Sequence, residues 1–167
     1  RLGRADQALA MTDAHVANHA RFSCEPDPEN PGWHRWSLSD PTLFLEAVLG
    51  RVLVRVENEN AARVRLVPQR HHTNSANNIH GAITLGLIDV ALFAAFQMVR
   101  GVSAGGSSTV DLSTQFISAG DPGKPLDAVI EVLRETRRLG FLRGLVVQDD
   151  VVVASFAATV RKPASQA

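Results

Sequence analysis

Hydrophobic and polar positions divide this chain into three regimes: an irregular first third, one long apolar run, and a series of alternating segments. The apolar run is Ile83-Thr84-Leu85-Gly86-Leu87-Ile88-Asp89-Val90-Ala91-Leu92-Phe93-Ala94-Ala95-Phe96-Gln97-Met98-Val99. It is entered through the polar loop Asn74-Ser75-Ala76-Asn77-Asn78-Ile79-His80-Gly81-Ala82. A run this long and this apolar predicts a helix that must be buried on all sides. The carboxylate of Asp89 near its middle is costly there unless it has partners or a chemical task.

The alternating segments predict strands. Val52, Val54 and Val56 alternate with Leu53, Arg55 and Glu57. Val64 and Leu66 alternate with Arg63 and Arg65, with Asn58-Glu59-Asn60 between the two segments as a hairpin turn. After the helix, Gly101 to Gly106 is a turn. Ser107 to Ser118 then places Val110, Leu112 and Phe116 on one face and Thr109, Asp111, Ser113 and Gln115 on the other. Leu126 to Leu139 is a long strand that Gly140 breaks. Phe141 to Val147 and Val151 to Arg161 complete the set, joined at Asp149-Asp150. A hairpin, one apolar helix and four antiparallel strands predict an α+β domain whose sheet covers the helix.

The first fifty residues read differently. Arg1 to Arg21 leans towards helix, with a thin stripe of Leu2, Leu9 and Val16. Glu25-Pro26-Asp27-Pro28-Glu29-Asn30-Pro31-Gly32 predicts a linker or extended loop. Trp33 and Trp36 are expected to cover a core edge, with an apolar substrate wall as the alternative. Asp40-Pro41 is a helix-start pair for Thr42 to Leu49, which Gly50 can end. Residues 1–50 are therefore expected to be an extension with short helices, residues 51–162 the main domain and 163–167 a tail.

Composition narrows the function classes. The chain of 167 residues is 45% apolar and 20% charged, which suits a soluble domain with a full core. Lys plus Arg equals Asp plus Glu at 17 each, so no basic excess argues for nucleic acid or an anionic membrane. Asp89, His80 and Gln97 count against reading the apolar run as a membrane span. The single Cys24 excludes an internal disulfide and fits a reducing compartment. The chain starts at Arg1 rather than Met, and its first residues lack the apolar run of a signal peptide. A cytoplasmic location is the expectation. His71, His72 and His80 match no common zinc spacing, and neither a metal nor another cofactor is expected. No dinucleotide or phosphate-loop fingerprint is present.

His71-His72-Thr73-Asn74, His80-Gly81 and Asp89, followed by Thr109-Val110-Asp111-Leu112, resemble the motifs of the phenylacetic-acid-degradation group of hotdog-fold acyl-CoA thioesterases. In that group an HTN-like stretch precedes a His-Gly-Gly by six residues, and an Asp follows the His by nine. Both spacings hold here, and the resemblance spans about residues 51–162. Ala82 departs from it, since a second Gly is usual there; as a pocket-lining position it bears on rate and substrate range. The resemblance implies a hotdog fold, an antiparallel sheet wrapped around the central helix. It also implies hydrolysis of an acyl-CoA to a free acid and coenzyme A.

The residues can support that chemistry. The Gly81 N–H, at a helix start and unshielded by a side chain, is a natural oxyanion donor. Asp89 can serve as general base on water or as nucleophile, and the sequence leaves both open. Thr109 can position the water beside Asp89, or be only a strand former. Asn74, carried over from the motif, would hold substrate or water; alternatively it satisfies its own loop. His80 would orient the loop or bond the thioester, or act only as a cap. Asn77 and Asn78 read as helix caps. Arg137, Arg138 and Arg143 could meet the phosphates of coenzyme A, or be a solvated edge.

Gly81 and Asp89 are eight residues apart, about 12 Å along one helix, yet both must reach the same reacting atoms. Two antiparallel copies can share a site, so a homodimer is expected, with a dimer of dimers as a further possibility. Two other classes remain: a non-catalytic hotdog domain that binds acyl-CoA or assembles partners, and a hydratase of the same fold.

Overall fold

The computed structural model describes residues 21–163. The helix expected over Arg1 to Arg21 and the tail after Pro163 lie outside those residues, except for Arg21 itself. Strands β1 (Phe22–Pro26) and β2 (His34–Leu38) form a hairpin, and a wide helical turn follows at Leu45–Leu49. Then come β3 (Val52–Asn58), β4 (Ala61–Leu66), the long helix α1 (Gly81–Arg100), β5 (Ser108–Phe116), β6 (Leu126–Glu135), β7 (Leu139–Gln148) and β8 (Val151–Arg161). All eight strands join one antiparallel sheet in the order β1-β2-β3-β4-β6-β7-β8-β5.

The core lies between α1 and one face of this sheet. Leu87, Ile88, Ala91, Leu92 and Ala95 of α1 are fully buried against Val52, Val54, Val64, Leu126, Ile130 and Val160. Each large side chain buried this way contributes roughly 1.5–3 kcal/mol, so the packing far outweighs the intrinsic helix propensity of the run. Gly101 closes α1 in the left-handed conformation, φ +69°, with its N–H on the Gln97 carbonyl.

Three features depart from the sequence expectations. The Pro-rich stretch read as a linker is instead the turn of the β1–β2 hairpin, which pairs onto β3 and lengthens the sheet. Arg51 fastens that turn by bonding Asp27 at 2.6 Å and Glu29 at 2.5 Å, and the Arg51 guanidinium holds the Asp27 carboxyl down at about 2. Trp36 is fully buried and Trp33 nearly so, as core-edge residues should be, with Arg55 and Arg65 lying over the Trp33 ring at 4.6 and 4.7 Å.

Second, the β6–β7 turn falls at residues 136–138 rather than at Gly140. Gly140 sits inside β7 because the Phe96 ring occupies the space its side chain would need: a Cβ there would lie 2.5 Å from Phe96 Cζ. Third, the expected alternation of β5 is broken. Thr109 pairs with Val160 and Asp111 with Thr159, leaving Val110 as an extra residue in a bulge. Val110 is 60% exposed, and Thr109 turns towards the helix instead.

The segment before β3 does turn helical. Asp40 Oδ1 accepts from the Thr42 N–H at 2.9 Å and the Thr42 hydroxyl at 2.6 Å. The turn Leu45–Leu49 then ends at Gly50, φ +73°, whose N–H reaches the Leu45 carbonyl.

Candidate active site

The start of α1 is capped by His80, not by Asn77 or Asn78. The His80 backbone is extended, and its Nδ1 accepts from the Ala82 N–H at 3.0 Å. Asn77 instead takes a left-handed turn conformation, φ +59°, with its side chain on Arg70. The Ile83 and Thr84 N–H groups both reach the His80 carbonyl. The Thr84 bond is the first of the regular helix; of the four orphan donors at the helix start, those of Ala82 and Ile83 are satisfied here and that of His80 by the His72 carbonyl. The Gly81 N–H has no partner among the described residues. It carries the positive end of a twenty-residue helix at a half-buried position. A Nδ1 that accepts leaves the exposed His80 ring with its proton on Nε2, directed away from the backbone.

Asp89 lies two turns further on and is half-buried. The Thr109 hydroxyl donates to its Oδ1 at 2.6 Å. That contact exists because of the β5 bulge, which re-aims one side chain without moving the strand. Within the described residues Oδ2 receives no hydrogen bond. Asp89 therefore has one fixed oxygen and one available for a proton or an attack.

The loop before the helix is internally braced. Asn74 Oδ1 accepts from the Ala76 N–H at 2.9 Å and the Asn78 N–H at 3.1 Å, which is the loop-satisfying alternative. Its amide NH2 has no bond among the described residues. His72 is fully buried: its Nδ1 accepts from the Gln69 N–H at 2.9 Å and its Nε2 meets the Val48 carbonyl at 2.7 Å. His71 Nε2 reaches the same carbonyl at 3.1 Å. The His72 carbonyl in turn receives the His80 N–H at 2.8 Å. Burial pushes the His72 imidazole below its ordinary value. The HTN-like stretch thus ties the Leu45–Leu49 turn to the capping residue of α1, a structural link that motif spacing did not reveal.

The arginines separate. Arg143 sits on β7 between Leu142 and Gly144, on the face turned away from α1, and donates to Glu131 at 2.8 Å. The structure does not bring it to Asp89 or Gly81. Arg137 and Arg138 occupy the β6–β7 turn. Gly140 and Thr109 both pair with Val160, so that turn lies about two strand spacings, roughly 10 Å, across the sheet from the Thr109 end of β5. Ala82 is exposed beside the Gly81 amide. Two residues that the sequence reading did not single out complete the surroundings. Phe116 approaches Gly81, and Phe44 approaches Gly86, both with exposed rings.

A large concavity of about 720 Å³ opens on the outer sheet face, lined by Arg63, Val129, Glu131, Arg143, Leu145 and Ser155. It holds neither Asp89 nor Gly81. The chemistry-bearing residues lie on the other side, along an incompletely covered stripe of α1 where Leu85 is 37% exposed. The expectation that α1 is buried on all sides is not met by one chain.

One antiparallel sheet curled around a single long helix is the hotdog arrangement. The chain belongs to the acyl-CoA thioesterase N-terminal domain family, whose model matches residues 68–161. It is therefore an acyl-CoA thioesterase in the general sense. Among solved structures, it is similar to the E. coli PaaI protein from the phenylacetic acid degradation operon. The two share 19% identity at a TM-score of 0.63, over 74% of this chain and 86% of that one. Thioesterase superfamily member 2 from Mus musculus gives 18% identity and a TM-score of 0.60, over 72% of this chain and 90% of that one. A hypothetical thioesterase with coenzyme A from Streptococcus pneumoniae TIGR4 gives 16% and 0.57, over 65% and 87%. These likenesses concern the fold. A comparison with curated protein sequences finds no significant match.

Proposed function

We propose that the chain hydrolyses acyl-CoA at a site built by two copies of itself. The Gly81 amide of one copy binds the thioester oxygen, and Asp89 of the other supplies the attacking group or activates the water. The observation that carries this reading is the Gly81 N–H, without a partner among the described residues, set about 12 Å along the helix from an Asp89 whose second oxygen receives no hydrogen bond from them. Neither group can act on the other's substrate atom within one helix, because a reacting carbon must lie about 3–3.5 Å from its nucleophile.

Two surfaces favour an antiparallel partner. Among the described residues β5 pairs only with β8, so its other edge carries backbone groups that no described strand pairs, suited to a second β5. The uncovered stripe of α1 beside it would be buried by the same approach. Two-fold symmetry then places each Gly81 near the partner's Asp89 and makes two equivalent sites.

At each site the water or Asp89 itself attacks the thioester carbon as the C=O bond becomes C–O⁻, held by the Gly81 N–H. The C–S bond then breaks, and the coenzyme A thiolate leaves and takes the proton given up by the attacking water. Where Asp89 is the attacking group, a water then hydrolyses the acyl–Asp89 anhydride to release the acid and supplies that proton. Thr109 keeps one oxygen of Asp89 in place so that the other faces the substrate. His80 holds the Ala82 amide and leaves that of Gly81 available. Arg137 and Arg138, on a turn at the periphery, could meet the phosphates of coenzyme A. The neighbour crystallised with coenzyme A supports that class of ligand, and the expected cytoplasmic setting would supply it.

The test is a panel of short-, medium-, long-chain and aryl acyl-CoAs with release of free thiol as the readout. Turnover by the wild type and its loss in Asp89→Ala is the expected result. Saturable binding without thiol release would make this a binding domain instead, and turnover by Asp89→Ala at the wild-type rate would remove the proposed catalytic residue.

A further inference from the structure

The uncovered stripe of α1 is a furrow with two aromatic banks. At about 100° per residue, Gly81 marks one edge of the stripe and Gly86 the other, about 140° round the helix, with Leu85, Asp89 and Ala82 between them. On the first bank, at the end of β5, Phe116 is 55% exposed and stands 3.4 Å from where a Gly81 Cβ would be. On the second, Phe44 is 49% exposed, and its ring reaches so far down that a Cβ on Gly86 would lie 2.6 Å from Cζ. Gly86 serves space rather than backbone freedom: with any larger residue there, the Phe44 ring would have to move from this position. Leu85 and Ala82 form the exposed floor between them.

Phe44 is held in place from several sides. It lies between the Asp40–Thr42 cap and the Leu45–Leu49 turn. Glu46 of that turn accepts from the Leu38 N–H at 2.8 Å, and the Val48 carbonyl is gripped by His72. An aromatic ring half in solvent, on a segment tied down on either side by these hydrogen bonds, is a wall rather than a loose surface residue.

A thioester with its oxygen on the Gly81 N–H has two arms of opposite character. The polar pantetheine arm suits the Asn-rich loop 74–78. Leu85, midway between Gly81 and Asp89, faces the partner's helix in the dimer proposed above, so the apolar acyl arm gains most by lying over Ala82, between that helix and Phe44. Following that floor from Gly81, it meets Phe44 at Gly86, five residues and about 7.5 Å further along the helix. That distance accommodates a short chain or one aryl ring, not a long chain.

We propose that Phe44 closes the acyl end of the furrow and sets the length of acyl group accepted. This rests on the reading of Gly81 as oxyanion donor given above. The residue comes from the segment before residue 51, outside the part of the chain matched by the family model, so this chain's acyl preference is tuned from outside the family's shared core.

The experiment compares wild type, Phe44→Ala and Phe44→Trp, with Leu145→Ala on the far sheet face as a control. Two series are measured with acyl groups of increasing length: kcat/KM for acyl-CoAs, and Kd for the matching non-hydrolysable acyl-CoA thioethers. Phe44→Ala is expected to raise the long-to-short ratio at least about tenfold in both series, since a methylene admitted to an apolar pocket is worth that order of discrimination. Phe44→Trp is expected to lower the ratio, and Leu145→Ala to leave it unchanged. A ratio that none of the Phe44 variants moves, in proteins with the wild-type oligomeric state, overturns the proposal. If the wild type releases no thiol from any acyl-CoA, the catalytic reading fails on its own, and the thioether series still decides the role of Phe44. Length dependence altered only at Phe44 supports the wall, while unaltered dependence, or no thioether binding by any variant, refutes it.

Discussion

Two carboxylates, Asp127 and Asp89, show how this fold separates structure from chemistry. Asp127, on the outer sheet face, is buried and fully engaged. Arg65 grips it through two bonds of 2.7 Å and Arg63 adds a third at 3.1 Å. Asp89, on the furrow side, receives among the described residues a single bond, from Thr109, and is half-buried. Arginines on both oxygens make a carboxylate a brace and leave nothing for a substrate. A lone hydroxyl orients a carboxylate and leaves one oxygen ready. The same contrast holds between the buried His72, with both ring nitrogens engaged, and the exposed His80, with one.

That comparison can be broken most sharply by exchanging amide for acid at each position. Asp89→Asn is expected to lower kcat by about three orders of magnitude, since base or nucleophile is lost, while the thermal midpoint hardly changes. Asp127→Asn should do the reverse: near-wild-type kcat, but a loss of about 1–3 kcal/mol of stability in denaturant titration, tempered by the partial exposure of its arginines. Loss of activity in both, or in neither, would erase the distinction.

Gly81→Pro tests the donor. Proline is favoured at the first helical position, and His80 already has the extended backbone that a following proline requires, ψ 137°. The substitution therefore keeps the helix start while it removes the N–H and sets a ring where no side chain now stands, its Cβ 3.4 Å from the Phe116 ring. A drop in kcat of about 10²–10³ is expected, with unchanged helix content by circular dichroism. Thr109→Val should cost less, about tenfold in kcat, and Thr109→Ser should recover most of it; equal losses in both would show that the hydroxyl is not what matters.

The smallest effect concerns pH. His72 is held below its ordinary value of 6.5 by burial, so the native state favours the neutral ring. Its stabilisation is complete above about 6.5 and fades as pH falls through the lowered native value, because the unfolded chain then binds the extra proton. Denaturant midpoints should decline on acidification from pH 7 to 5, and the decline should be shallower in His72→Asn.

Much of this was legible in the chain. The helix α1, most of the strands and the α+β class follow from period and run length, while the hotdog arrangement rests on the likeness of His71 to Asn74, His80-Gly81 and Asp89 to a family motif, which also marks the candidate site. What escaped the pattern has local causes. The β1–β2 hairpin hides behind prolines that read as a linker, because the pairing partner is β3, distant from the turn itself. The bulge at Val110 needs the register of β8, which alternation within β5 cannot supply. Phe44 and Phe116 look like ordinary apolar residues; only the glycines they press against, Gly86 and Gly81, give them a place. His72 is one of three histidines with similar local context, and burial against Val48 is a tertiary fact.

The central claim is that two chains share each site, and complementation tests it most directly. Asp89→Asn and Gly81→Pro proteins, each inactive alone, are mixed in equal amounts under conditions that allow subunit exchange. If Gly81 of one chain serves Asp89 of its partner, half of the dimers carry one intact site, and activity should return to about a quarter of the wild-type value. If both groups act within one chain, no pairing restores a site, and a mixture as inactive as its components would contradict the account.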